Sequence, residues 1–128
     1  MWKAAAVGLL LPVLGCGSKV SVEKTRDLQA SQTWTLEVEA PKKDQRVRVD
    51  VTARSGPVHA VVLLAKDLES IEKDLDKAGG KLPATALGGE LDKQSATIEV
   101  NIPAGEKFAV FVQSLQKDTS VTVKINSL

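Results

Sequence analysis

Apolar residues recur at every second position along most of this chain, the period of a strand with one face buried. Trp34, Leu36 and Val38 share a face opposite Thr33, Thr35, Glu37 and Glu39. Pro41-Lys42-Lys43-Asp44 makes a turn, after which Val47, Val49, Val51 and Ala53 alternate with Arg46, Arg48, Asp50, Thr52 and Arg54. Ser55-Gly56-Pro57 punctuates again. Val58 to Ala65 is then apolar on both faces except at His59, the pattern of a central strand. Three more alternating runs close the chain, with Ala96, Ile98, Val100 and Ile102, then Phe108, Val110 and Val112, then Val121, Val123 and Ile125 inward. Short strands with turns every eight to twelve residues point to an all-β, antiparallel β-sandwich of about seven strands.

The period changes once. Leu68, Ile71, Leu75 and Ala78 fall at helical spacing, with Asp67 to cap the start and Gly79-Gly80 to end it. One short amphipathic helix is expected, lying over an edge or end of a sheet. Lys81 to Lys93 holds Pro83 and Gly88-Gly89, keeps no period, and reads as a loop.

The first residues belong to another regime. Met1-Trp2-Lys3 carries one positive charge and precedes the apolar run Ala4 to Leu14. As a helix, that run would span about 16 Å, half of a ~30 Å hydrocarbon core. Gly8 and Pro12 interrupt it and no stop-transfer pattern follows, so it reads as the core of a secretory signal rather than a membrane span. Val13-Leu14-Gly15-Cys16 resembles the lipobox of bacterial lipoproteins, with Val13 in place of the usual Leu. The resemblance implies cleavage before Cys16 by signal peptidase II and a diacyl or triacyl group on its thiol. Two or more acyl chains suffice for stable anchoring. Residues 1–15 are thus expected as the signal peptide, 16–30 as lipidated cysteine and tether, and 31–128 as the β-sandwich.

Removing the leader takes one cation and leaves sixteen basic and sixteen acidic groups in 113 residues. A domain of that size buries about two-thirds of its unfolded surface and needs no disulfide. Zero net charge argues against a general nucleic-acid binder. Gly17 to Ala30 is polar and mixed in charge, and as a flexible tether would reach about 20 Å. Val20 and Val22 alternate with polar residues, which allows part of it to add an edge strand.

Catalytic and metal constellations are thin. Cys16 is the lone cysteine and His59 the lone histidine, so no zinc cluster forms from them. No Gly-x-Ser-x-Gly elbow is present to serve a Ser-His-Asp site. Asp74-x-Asp76-x-x-Gly79 opens like a calcium loop but has Thr85 where a bidentate Glu belongs. Glu69, Glu72, Asp74 and Asp76 share a helix with Lys66, Lys73 and Lys77, as ordinary surface charge does. Arg46, Arg48 and Arg54 project from one strand face as a candidate anion-contact patch, with Glu37 or Glu39 available to neutralise it. Of the mature chain's aromatics, Trp34 and Phe108 fall in phase with the core and only Phe111 is left over as a sugar platform.

Ile102-Pro103-Ala104-Gly105-Glu106-Lys107-Phe108-Ala109-Val110-Phe111-Val112, followed by Val121-Thr122-Val123-Lys124-Ile125, is similar to the closing strands of bacterial pre-peptidase C-terminal domains. The resemblance implies a jelly-roll-like sandwich. The acidic Asp-x-Asp-Leu-rich strand and the tyrosines of that family are missing here.

Together these features lead to the expectation of a non-catalytic, lipid-anchored envelope lipoprotein. Its small sandwich would serve protein interaction or structure, with a protein partner and no cofactor. A calcium- or anion-binding accessory domain and a small periplasmic hydrolase using the 67–92 segment are the alternatives. Gly17 after the cysteine, by resemblance to lipoproteins of two-membrane cells, favours the outer membrane.

Overall fold

The structure, a computed structural model, describes residues 20–77, 82, 83 and 85–128, and of residues 74–77 the backbone alone. The expected signal peptide, the lipobox residues Val13, Leu14 and Gly15, and Cys16 lie outside them.

Eight strands are present among the described residues: β1 (Ser21–Leu28), β2 (Thr33–Val38), β3 (Gln45–Ala53), β4 (Val58–Leu64), β5 (Gly88–Lys93), β6 (Ser95–Ile102), β7 (Phe108–Ser114) and β8 (Thr119–Ser127). They form two four-stranded antiparallel sheets, ordered β1-β8-β3-β6 and β2-β7-β4-β5. First pairs with last, second with seventh, third with sixth and fourth with fifth. That nesting is the jelly-roll order, and the expected antiparallel sandwich is the fold observed.

The two inner faces supply the main core. Val47, Val49 and Val51 of β3 and Val121, Val123 and Ile125 of β8 meet Val58, Ala60 and Val62 of β4 and Phe108, Val110 and Val112 of β7. At about 25 cal/mol per Å2, each such valine contributes about 1.5–3 kcal/mol when fully removed from water. Val61 and Leu63 point the other way, so β4 is apolar on both faces because both are covered.

The cover is the helix. A 3-10 turn, Ala65–Asp67, leads from β4 into α1 (Leu68–Lys77), so Asp67 both ends that turn and immediately precedes the helix. Ile71 is fully buried against Val61, Leu63, Ala109 and Phe111, with Leu68, Ala86 and Leu91 packed around them. The helix therefore lies on the outer face of the second sheet, not over an edge or end. Phe111, the candidate sugar platform, is 2% exposed and cannot offer its ring to a ligand.

Two segments differ from the sequence expectation. From Ser21 to Leu28 the expected tether is the edge strand β1, paired along its whole length with β8. Within the expected loop, Gly88–Lys93 forms β5, which makes the strand count eight. An added Cβ at Gly89 would meet Ala60 O at 2.7 Å and Leu82 Cδ1 at 2.8 Å, and one at Gly88 would meet Val100 Cγ1 at 2.9 Å. Neither glycine has positive φ, so absence of a side chain, not backbone freedom, fits them to the strand. Gly105 is the opposite case. Its φ is +78° with open space around it, at the third position of a Pro103–Glu106 turn that this φ makes type II.

Candidate functional site

Antiparallel pairing gives the sandwich two distinct ends. At one, Val20 N–H donates to Ser127 Oγ at 2.6 Å, and Leu128 N–H donates to Arg46 O at 2.9 Å. Loops 39–44 and 103–107 lie at this end, tied by Gly105 N–H to Pro41 O and by Ala104 N–H to Asp44 Oδ1, both 2.8 Å. The eight residues of β1 carry the chain about 26 Å to the other end.

At that far end the loops after β1, β3 and β7 are knitted by side-chain hydrogen bonds. Ser114, fully buried, accepts Gln32 N–H at 3.0 Å and lies against the carbonyls of Gln29 and Gln32. Asp118 Oδ1 accepts Ala30 N–H at 2.8 Å, and buried Thr119 accepts Ser55 N–H at 2.9 Å. Ser31 and Asp92, at φ 64° and 57°, are the non-glycine residues with positive φ among those described, and both sit here. Single residues outside glycine hold that conformation only where their surroundings fix it. The loops frame a cleft of about 570 Å3 lined by Asp27, Gln29, Gln32, Ser55, Asp118 and Ser120. These are hydroxyl, amide and carboxylate groups, suited to hydrogen bonding.

His59 stands beside this end. Asp92 N–H donates to its Nδ1 at 3.0 Å, which leaves the ring proton on Nε2. Burial pushes its pKa below 6.5, and the Asp92 carboxylate only partly opposes that shift. The neutral ring is therefore the folded form. Its contribution to stability is complete above pH 6.5 and declines as pH falls through the lower folded value. An NMR titration is expected to place the His59 midpoint below 6.5, and a midpoint at or above that value would contradict the burial and the hydrogen bond.

The three candidate arginines do not converge. Arg46 and Arg48 both reach Glu99 on β6, each at 3.3 Å through a different carboxylate oxygen, and Arg46 also donates to Asn101 Oδ1 at 3.2 Å. Of the two residues expected to neutralise them, Glu37 belongs to the other sheet, where it meets Lys107 Nζ at 3.9 Å, and Glu39 lies in the loop that follows β2. Arg54 follows the end of β3 at the far end of the sandwich, and among the described residues no carboxylate lies within 4 Å of its guanidinium. Pairs this exposed contribute about 0–1 kcal/mol each.

Glu69 and Glu72 are exposed on α1, while the side chains of Asp74 and Asp76, Gly79 of the calcium-loop pattern, and Leu75 lie outside the described residues. Among the described residues no group of three or more His, Cys, Asp or Glu side chains is placed to hold a metal ion. No helix there is long and apolar enough to cross a membrane.

No known protein family matches the chain, and no curated protein matches it in sequence. Solved structures do match in fold. PliG of Aeromonas hydrophila, a periplasmic inhibitor of g-type lysozyme, is 13% identical with a TM-score of 0.53, over 91% of this chain and 93% of that one. The pre-peptidase C-terminal domain of a Bacillus anthracis collagenase is 10% identical with a TM-score of 0.55, over 83% of this chain and 89% of that one. The Yersinia pseudotuberculosis-derived mitogen is 4% identical with a TM-score of 0.56, over 84% of this chain and 85% of that one. At these identities the likeness is one of fold. It includes a member of the family that residues 102–125 resemble, and it makes the chain a β-sandwich similar to those modules.

Proposed function

We propose that this protein is a lipid-anchored envelope lipoprotein whose sandwich is a non-catalytic protein-interaction module. The observation that carries the reading is the polarity of the sandwich. Cys16 precedes Val20 by four residues, a contour of at most about 14 Å, so an acyl group there holds the Val20 end against the bilayer. The knitted loops and their cleft then stand about 26 Å further out, facing whatever meets the protein. Arg46 and Arg48, left with one net positive charge by the shared Glu99, lie toward the bilayer end as the contact offered to anionic headgroups. The hydrogen-bonding character of the cleft supports a binding role. The fold is also shared with a periplasmic protein that inhibits an enzyme by name, which makes a protein partner the first class to test.

The test is fractionation and mild crosslinking of cells expressing the native chain beside a Cys16→Ala variant. The native chain is expected in the membrane fraction with a reproducible crosslinked partner, and the variant in the soluble fraction without it. Native protein in the soluble fraction removes the anchor, and native protein anchored alone removes the partner.

A further inference from the structure

The two long sides of the sandwich are not alike. On one, β5 turns directly into β6 through Gln94, and Gly88 lies against Ile98 and Val100, so the sheets are closed together there. On the other, the edge strands β1 and β2 stand apart around a slot of about 500 Å3. Val20, Val22, Leu36 and Val38 line it, with Lys24 and Glu37 at its rim.

The two edges bordering the slot are guarded differently. On β1 the inward phase runs Val22, Lys24, Arg26, Leu28, opposite Ile125, Val123, Val121 and Thr119. Charges on the inner phase of an edge strand oppose the docking of another strand. On β2 the inward phase is Trp34, Leu36 and Val38, without a charge. Ser114 N–H donates to Gln32 O, so alternation turns the backbone groups of Trp34, Leu36 and Val38 toward β7. Those of Thr33, Thr35 and Glu37 point away from the sheet, toward the open edge. The outward phase beside them ends in exposed Glu37, and exposed Glu39 lies one residue past the strand; Glu37 meets Lys107 only at 3.9 Å.

We propose that β2 is a strand-addition site for an extended segment of a partner protein, with apolar residues alternating with Lys or Arg. The backbone of that segment bonds to Thr33, Thr35 and Glu37. Its apolar residues enter the slot between Val22 and Leu36, and its cations lie opposite Glu37 and Glu39. The inference rests on the interaction-module reading and adds the β2 edge, along the side of the sandwich, as a contact surface beside the far-end cleft.

The test uses the mature lipidated chain in detergent micelles, 15N-labelled, with two blocked nine-residue peptides: one alternating Val and Lys, one alternating Val and Glu. The Val/Lys peptide is expected to slow hydrogen exchange at the amides of Thr33, Thr35 and Glu37 and to bind about tenfold more tightly than the Val/Glu peptide, the ratio from two cross-strand charge contacts changing sign. Thr35→Pro is expected to abolish binding while the fold survives, because the lost N–H faces solvent. Leu36→Lys, which puts a charge in the slot, is expected to abolish it too and covers the case in which the proline variant misfolds. Equal or absent binding of the two peptides overturns the proposal, as do retained binding in both variants and protection on β1. So does protection of the same amides by protein concentration alone, which would make the occupant a second copy. A partner crosslinked in cells alongside a negative peptide result would keep the module and remove this surface.

Discussion

Phe111→Ala is expected to lower the unfolding free energy by about 3–5 kcal/mol, the range for truncating a buried aromatic ring. Phe111 is the largest residue of the second cluster, where Ile71 of α1 meets Val61, Leu63 and Ala109 on the outer face of the second sheet. Leu68, Ala86 and Leu91 fill the remaining sides, and none belongs to the main core between the sheets. A cavity here thus falls on the surface that, among the described residues, holds the helix to the domain. A domain of this size has about 5–15 kcal/mol in total, so the loss takes a large fraction of it. The expected signature is specific: α1 amides lose exchange protection at lower denaturant than β3 or β8 amides do. Urea unfolding with site-resolved exchange checks both parts. A cost near zero would mean that the helix does not pack on Phe111.

Gly89→Ala is expected to cost about 1–3 kcal/mol, at the upper end of that range for overpacking. Two of the three atoms its methyl would meet are backbone, Ala60 O at 2.7 Å and Val61 Cα at 3.2 Å, and backbone does not rotate aside. Gly88→Ala is expected to cost less, since its methyl would meet only the side-chain tips of Val100 and Ile98. The order of the two variants in thermal or urea unfolding is the check. A Gly89→Ala protein as stable as the parent would mean that β5 lies further from β4 than the structure places it.

Most strands were legible because their inward positions are uniformly apolar, as in Val47, Val49 and Val51 or Val121, Val123 and Ile125. β1 was legible only in part, from Val20 and Val22, because half of its inward phase is Lys24 and Arg26, charges that make sense only at an edge. β5 was hidden because glycines weaken a strand's signature, while here the close approach of Ala60 and Val100 demands them. Phe111 alternates correctly with Phe108, Val110 and Val112, but the alternation cannot say that a helix covers its face. The partner of Arg46 and Arg48 was hidden for a related reason. Period two fixes which face Arg46 and Arg48 occupy, but not the neighbouring strand, and so not that Glu99 answers both. The open slot is likewise a product of sheet order, which no local pattern carries.

The nesting of first strand with last has a consequence in time. β8 lies between β1 and β3 and supplies every ladder contact that β1 makes. Until residues 119–127 have emerged, β1 has no place to bind, and the first sheet is reduced to β3 with β6. Such distant pairings close slowly, because the chain entropy between them is lost before any contact returns it. A polypeptide threaded across a membrane must stay extended while it passes. On the export route proposed above, this topology would serve that need: the strand that completes the first sheet is the last to arrive.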